Sequence, residues 1–165
     1  MNEGNPRTSN HTDRQGFNLF ELVMVIAIMG IVAAVAAPRF GRASARYRAD
    51  VAARRVCKDL ALASRAARNA GASRTLKFER SGGAYTGAYT ISALAGLEKR
   101  SDTYRVDLSA EPYRSQADSV NFGGARKVIF NGYGLAGSSG MIVLKSGDIT
   151  RTITFDATSG RASSQ

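Results

Sequence analysis

Hydrophobic and polar positions divide this chain into three stretches with different periods. Residues 17–37 carry one formal charge, Glu21, and residues 22–37 have no polar side chain at all. At about 1.5 Å per residue, a helix over 17–37 spans roughly 31 Å, enough to cross the hydrocarbon core of a bilayer. Gly30 is the helix-weakening residue inside the apolar run, and Pro38 is expected to break the helix at its end. Residues 38–70 then resume as a helix rich in Ala and Arg, with Gly41 inside it and Gly71 closing it. One face reads Ala45, Ala49, Ala52, Val56, Leu60, Ala63, Ala67, Ala70, at spacings of three and four. Alanines contribute little hydrophobic energy each but let a helix lie close to a sheet, with Val56 and Leu60 as the larger anchors.

Beyond Gly71 the period falls to two. Residues 74–80 place Leu76 and Phe78 on one face, and Ser81-Gly82-Gly83 turns the chain into a second strand with Tyr85, Tyr89 and Ile91. Residues 94–102 read as a loop or short helix, the segment around Val106 and Leu108 as a strand, and residues 110–118, with Pro112, as a polar loop. Short strands follow over 119–122, 127–130, 141–145 and 149–155, joined by glycine-rich turns, and the residues after Thr158-Ser159-Gly160 read as a tail. Strands joined by such short turns form a mainly antiparallel sheet.

Glu21 is the informative residue of the apolar stretch. An ionised carboxylate in hydrocarbon costs a few kcal/mol even near one end, so it needs the interface or a cation. Cutting the chain between Gly16 and Phe17 would supply that cation, the new α-amino group of Phe17, one helical turn away. A polar leader ending in Gly16, then Phe17, Leu19, Glu21 and a long apolar helix followed by Pro38, resembles the class III signal of type IV pilins and type II secretion pseudopilins. The resemblance implies that a prepilin peptidase cleaves after Gly16 and methylates Phe17, and that Glu21 pairs with its own or a neighbour's N-terminus during assembly. Two other readings stay open. A secretory signal peptide would also place Arg7 and Arg14 before an apolar core and end at Ala34-Val35-Ala36, although its core would begin with a carboxylate. A signal anchor without processing is the other.

Orientation divides the indications. Arg7 and Arg14 precede the span while Arg39, Arg42, Arg46 and Arg48 follow it, so the positive-inside rule puts the C-terminal part in the cytoplasm. The resemblance implies the reverse: a single-pass inner-membrane protein whose C-terminal domain lies on the periplasmic side and joins a pilus-like filament.

Charge adds a second candidate function. The chain holds 23 Lys and Arg against 13 Asp and Glu, a net +10, and eight of those ten net charges fall between Arg39 and Arg74. Arg54, Lys58 and Arg65 share a helix face, as do Arg39, Arg42 and Arg46, so a basic stripe is expected. Such a stripe suits lipid headgroups near Arg39 and Arg42, acidic neighbours in a filament, or nucleic-acid phosphates, with a solvated face as the plain alternative.

Other chemistry is poorly supplied. Cys57 is the single cysteine and His11, inside the leader, the single histidine, so a processed chain has no Ser-His or Cys-His pair and no ordinary zinc site. Gly132-Tyr133-Gly134 lacks the helix and the trailing Lys-Ser/Thr of a phosphate loop. Asp148 and Asp156 alone are too few for calcium. Tyr85, Tyr89, Tyr104, Tyr113 and Tyr133 read as sheet residues with one polar end exposed. No cofactor and no enzymatic activity are expected.

The C-terminal run VIFNGYGLAGSSGMIVLK followed by RTITFDATSGRA is similar to the closing pattern of the GspH/FimT family of minor pseudopilins and minor pilins, with Gly160-Arg161 as its terminal pair. Together the two resemblances imply an α+β, pilin-like fold, a long N-terminal transmembrane helix on a small antiparallel β-sheet domain. Its parts would be a leader (1–16), a transmembrane and assembly half of the helix (17–37), an outer half (38–72) and a β-rich domain (73–165). The implied function is a structural subunit of a type II secretion pseudopilus or type IV pilus. Its partners would be the prepilin peptidase, other pilin or pseudopilin subunits and inner-membrane lipid. The alternative is a DNA-binding minor pilin for DNA uptake, with Arg54, Lys58, Arg65 and Arg161 as contacts for an anionic partner; Ala162, Ser163 and Ser164 after Arg161 lack the further basic residues such a site would use, and Arg126, Lys127, Lys145 and Arg151 are further basic residues that could contribute.

Overall fold

The computed structural model describes residues 18–94 and 103–165, without the side chain of Pro38. Gly16, Phe17 and most of the segment 94–102 therefore lie outside the described residues. One helix, α1, runs Leu19–Ala70 over 52 residues. Asn18 caps it: its side-chain Oδ1 accepts from the Phe20 amide at 3.3 Å. Gly71, at φ 58°, ends it. The Gly71 amide donates to Arg68 O and the Ala72 amide to Ala67 O, both at 3.2 Å, the paired bonds of a Schellman stop.

The break expected at Pro38 is not found, because α1 continues through it. A mid-helix proline removes one backbone bond and adds a clash, at about 3 kcal/mol. The turns on either side, rich in Ala, Val and Arg, hold the helix across that single defect.

The chain divides into two compact units, one ending at Arg39 and the other running Phe40–Gln165. Among the described residues of the first unit every side chain is exposed, and α1 is there long and apolar enough to cross a membrane.

Among its described residues the second unit holds eight strands: β1 Arg74–Ser81, β2 Ala84–Ile91, β3 Tyr104–Asp107, β4 Gln116–Phe122, β5 Lys127–Phe130, β6 Gly140–Ser146, β7 Ile149–Asp156 and β8 Arg161–Ser164. They form two four-stranded sheets rather than one, in the orders β3-β2-β1-β5 and β4-β6-β7-β8, antiparallel throughout. Two boundaries differ from the sequence reading. β4 starts at Gln116, inside the expected loop, since Gln116 and Ala117 find partners in Lys145 and Leu144 of β6. The expected tail is β8, paired Asp156↔Arg161 and Thr154↔Ser163. Arg-Ala-Ser-Ser has little strand preference of its own, so the tight turn at Gly160 and the waiting edge of β7 supply the pairing.

Both sheets contribute to one core with the inner face of α1. Ala49, Ala52, Ala53, Val56, Leu60, Ala63 and Ala67 are fully buried on the helix, while Ala45 is only half-buried and Ala70 exposed. Against this face the sheets bring their bulk: Leu76, Phe78 and Ile91 from the first, Ile142, Leu144 and Phe155 from the second. Phe155 sits between the rings of Phe122, 6.2 Å away, and Phe130, 5.7 Å away edge-on.

Leu60→Ala should destabilise the second unit by roughly 2–5 kcal/mol, because the site is closed on all sides, whereas Leu62→Ala on the outer face should cost under about 0.5 kcal/mol. Urea unfolding of both variants in detergent micelles checks the difference.

Candidate assembly and interaction surfaces

Glu21 lies in the first turn of α1 and is exposed. With Asn18 as the cap it occupies the third helical position, where a carboxylate faces unsatisfied amides and the positive end of the helix dipole. That placement gives Glu21 a local electrostatic role in addition to the pairing with an N-terminus that the resemblance implies. Phe17, the other half of that pair, lies outside the described residues.

The basic residues of the outer helix do not act as one stripe. Arg54 and Lys58 line a groove of 270 Å³ beside Tyr113, whereas Arg65 lines a second groove, of 350 Å³, on the other flank. Arg161 at the start of β8 joins Arg65 in that second groove, and so does Arg68, which the sequence reading did not single out. Arg65 and Arg161 are thus brought together, and Arg54 and Lys58 are held apart from them. Arg65, Arg68 and Arg161 have no ion pair among the described residues. Cys57 opens into the same groove half-buried, and burial pushes its thiol pKa up, which keeps it protonated.

The glycine-rich loop between β5 and β6 has a packing purpose. A Cβ on Gly134 would meet Arg68 Cγ at 2.5 Å and the Ser64 carbonyl at 2.7 Å, and the residue sits at φ 74°. Only a residue without a side chain allows the loop to lie on the helix, where the Ser64 hydroxyl donates to the Gly134 carbonyl at 2.8 Å.

The sequence reading missed a buried polar cluster. Asp59, on the inner face of α1, is 4% exposed. It accepts from the Tyr89 hydroxyl at 2.6 Å, the Tyr104 hydroxyl at 2.9 Å and Arg55 Nε at 3.1 Å. Arg55 Nη2 also donates to the Tyr104 hydroxyl at 2.7 Å, closing the network. Two tyrosines read as half-exposed sheet residues are therefore buried, with their hydroxyls turned inward onto a helix carboxylate. The signal was present in the sequence: Asp59 follows Val56 by three and precedes Ala63 by four, inside the apolar face. Burial, then the negative charge of Asp59 and the bond to it, raises the Tyr89 pKa well above the ordinary value of 10. Burial and the Asp59 bond raise Tyr104 too. Partial burial pulls Arg55 down, but Asp59 and Tyr104 outweigh it and hold its guanidinium above the usual arginine range.

A second set of contacts ties the helix to the strands and loops. Arg151 of β7 pairs with Asp50, and Glu111 meets Arg114 at 2.6 Å and Arg48 at 4.0 Å. Ser146 of β6 donates to the Arg114 carbonyl at 3.0 Å.

No protein-family model matches this chain, and no curated protein is similar to it in sequence. Two solved structures are similar in fold, both of the type IV minor pilin FimU of Pseudomonas aeruginosa in different crystal forms. One has a TM-score of 0.53 at 14% identity over 73% of this chain and 90% of that one. The other has a TM-score of 0.51 at 12% identity over 70% of this chain and 91% of that one. The fold is therefore pilin-like: one long N-terminal helix on two small antiparallel sheets.

The tyrosine cluster should make stability fall in alkali. Tyr89 and Tyr104 are neutral donors in the folded state with raised pKa values. Their contribution is full below about pH 10, where unfolded tyrosine ionises, and is lost as pH climbs from there through the folded values. Tyr89→Phe should cost roughly 1–2 kcal/mol at neutral pH and reduce that alkaline loss. Urea midpoints between neutral pH and about pH 11, for the wild type and the variant, check both effects.

Proposed function

We propose that this chain is a minor subunit of a pilus-like filament, either a type II secretion pseudopilus or a type IV pilus. The observation that carries the reading is the pilin-like fold on a helix whose first turn bears Glu21 and whose next sixteen residues, 22–37, are wholly apolar. In this reading residues 1–16 are a leader, a prepilin peptidase cuts between Gly16 and Phe17, and Phe17 is methylated. Residues 17–37 hold the subunit in the inner membrane before assembly and pack among the helices of other subunits afterwards. Residues 38–72 carry the β-rich domain, 73–165, on the outside of the filament. Glu21 meets the N-terminus of its own or a neighbouring subunit, which supplies the cation that a carboxylate in an apolar bundle requires.

A second reading has one observation in its favour. The groove that joins Arg65, Arg68 and Arg161 gathers three unpaired guanidinium groups from the helix and β8, a geometry suited to phosphates of DNA. Binding of that kind is independent of sequence and falls steeply with salt.

The first test is the intact mass and N-terminal residue of the protein recovered from membranes, with a strain lacking the peptidase as control. A methylated Phe17 that depends on the peptidase is the expected result. An intact Met1, or a start at Ala37, overturns the filament reading. In the processed protein, Glu21→Ala should reduce incorporation into sheared filaments by about tenfold or more while leaving membrane levels unchanged, as immunoblots of the two fractions would report.

A further inference from the structure

The outer face of the first sheet carries a charge arrangement that works against the fold. Lys77 of β1 and Lys127 of β5 are direct partners in the antiparallel register, and like charges so placed destabilise a sheet. Both are exposed, as are Arg80 and Arg126 next to them, and the four line one open groove of 620 Å³. Phe78 and the turn residues Gly124 and Ala125 complete its lining. Among the described residues none of the four cations has a carboxylate partner. Glu79, the acid on this part of the sheet, is already taken, since Arg105 of β3 grips both its oxygens at 2.9 Å.

We propose that this face docks an acidic surface of a different protein subunit, whose carboxylates meet Lys77, Lys127, Arg80 and Arg126. The inference rests on the filament reading and names the chemistry of one neighbour within it. Charge argues against a second copy of this chain as the occupant. The chain carries a net charge of +10, so a second copy brings mostly further cations to the four clustered here, and copies meeting at this face would repel. The surroundings argue for a protein over a phosphate backbone. Ile129, next on the same face of β5 and paired with Thr75, is 44% exposed, which gives an apolar contact beside the cations. Tyr85, the ring at the groove's edge, lies under Arg80 with 5.2 Å between guanidinium and ring centre, and so offers no platform for a base.

The test uses the full chain in detergent micelles, titrated with a short fluorescent poly-glutamate peptide and with a random-sequence DNA duplex. Lys77→Glu combined with Lys127→Glu should weaken peptide binding by about tenfold or more, while the equal charge change Arg65→Glu with Arg68→Glu should weaken it by less than about threefold. Lys127→Glu alone should raise the thermal midpoint, by about 1–4 °C, because it turns a repulsive cross-strand pair into an attractive one. The single variant should also weaken peptide binding, by about threefold or more, and loss of binding in that more stable protein cannot come from misfolding. The proposal is overturned if both double variants lose binding equally, if the peptide does not bind, or if the duplex binds more tightly than the peptide through Lys77 and Lys127. Processing at Phe17 is measured separately, so a processed chain that ignores the peptide overturns this proposal alone. An unprocessed chain that still binds it overturns the filament reading alone.

Discussion

The packing of two sheets against one alanine-rich helix face governs the architecture of the second unit. Five of the seven fully buried core residues on the helix are alanines, Ala49, Ala52, Ala53, Ala63 and Ala67. A face that flat leaves the volume to be filled from the sheets, and Phe78, Phe122, Phe130 and Phe155 fill it. Hydrophobic area is thus supplied by strands that are far apart in sequence, while the helix supplies a shared surface on which they meet. Both sheets need that surface, since a four-stranded sheet with one bare apolar face is not stable alone.

The buried polar cluster lies inside this same face. Two long side chains, Tyr89 and Tyr104, on adjacent strands of the first sheet, reach Asp59 between Val56 and Ala63. Removing the carboxylate would strand two phenols and leave Arg55 without its main partner, whereas the intact network satisfies every group in it. Asp59 can meet both hydroxyls at only one setting of the helix against the first sheet, so the cluster should favour that rotation and axial position over its neighbours.

How much of this was legible in the sequence follows from the range of each interaction. The apolar run, most of the alanine face and the strand alternation depend on neighbours three or four, or two, residues apart, and they were legible, whereas the division of the strands into two sheets depends on distant pairings and was not. The continuity of α1 through Pro38 was missed because a local rule about proline was given more weight than the helical turns flanking it. β8 and the first residues of β4 were missed because their own residues have no strand signal, and partners distant in sequence decide the matter. Tyr89 and Tyr104 were misplaced for a related reason. Their class is amphipathic, and only the position of Asp59 across the core decides which way the hydroxyl points. Among the charges, Arg65 and Arg161 were both named, but their meeting in one groove with Arg68 depends on where β8 runs. The opposition of Lys77 and Lys127 likewise appears only once the β1–β5 register is known.

Gly134 carries a further implication for dynamics. Its loop rests directly on the helix at Ser64 and Arg68, one to two turns before the Schellman stop, and it connects β5 of one sheet to β6 of the other. The end of a long helix ordinarily frays, but this end is clasped by a connection that both sheets hold taut. Its amides should therefore exchange with solvent as slowly as those of the surrounding strands. The helix terminus and the two sheets then open as a single cooperative unit.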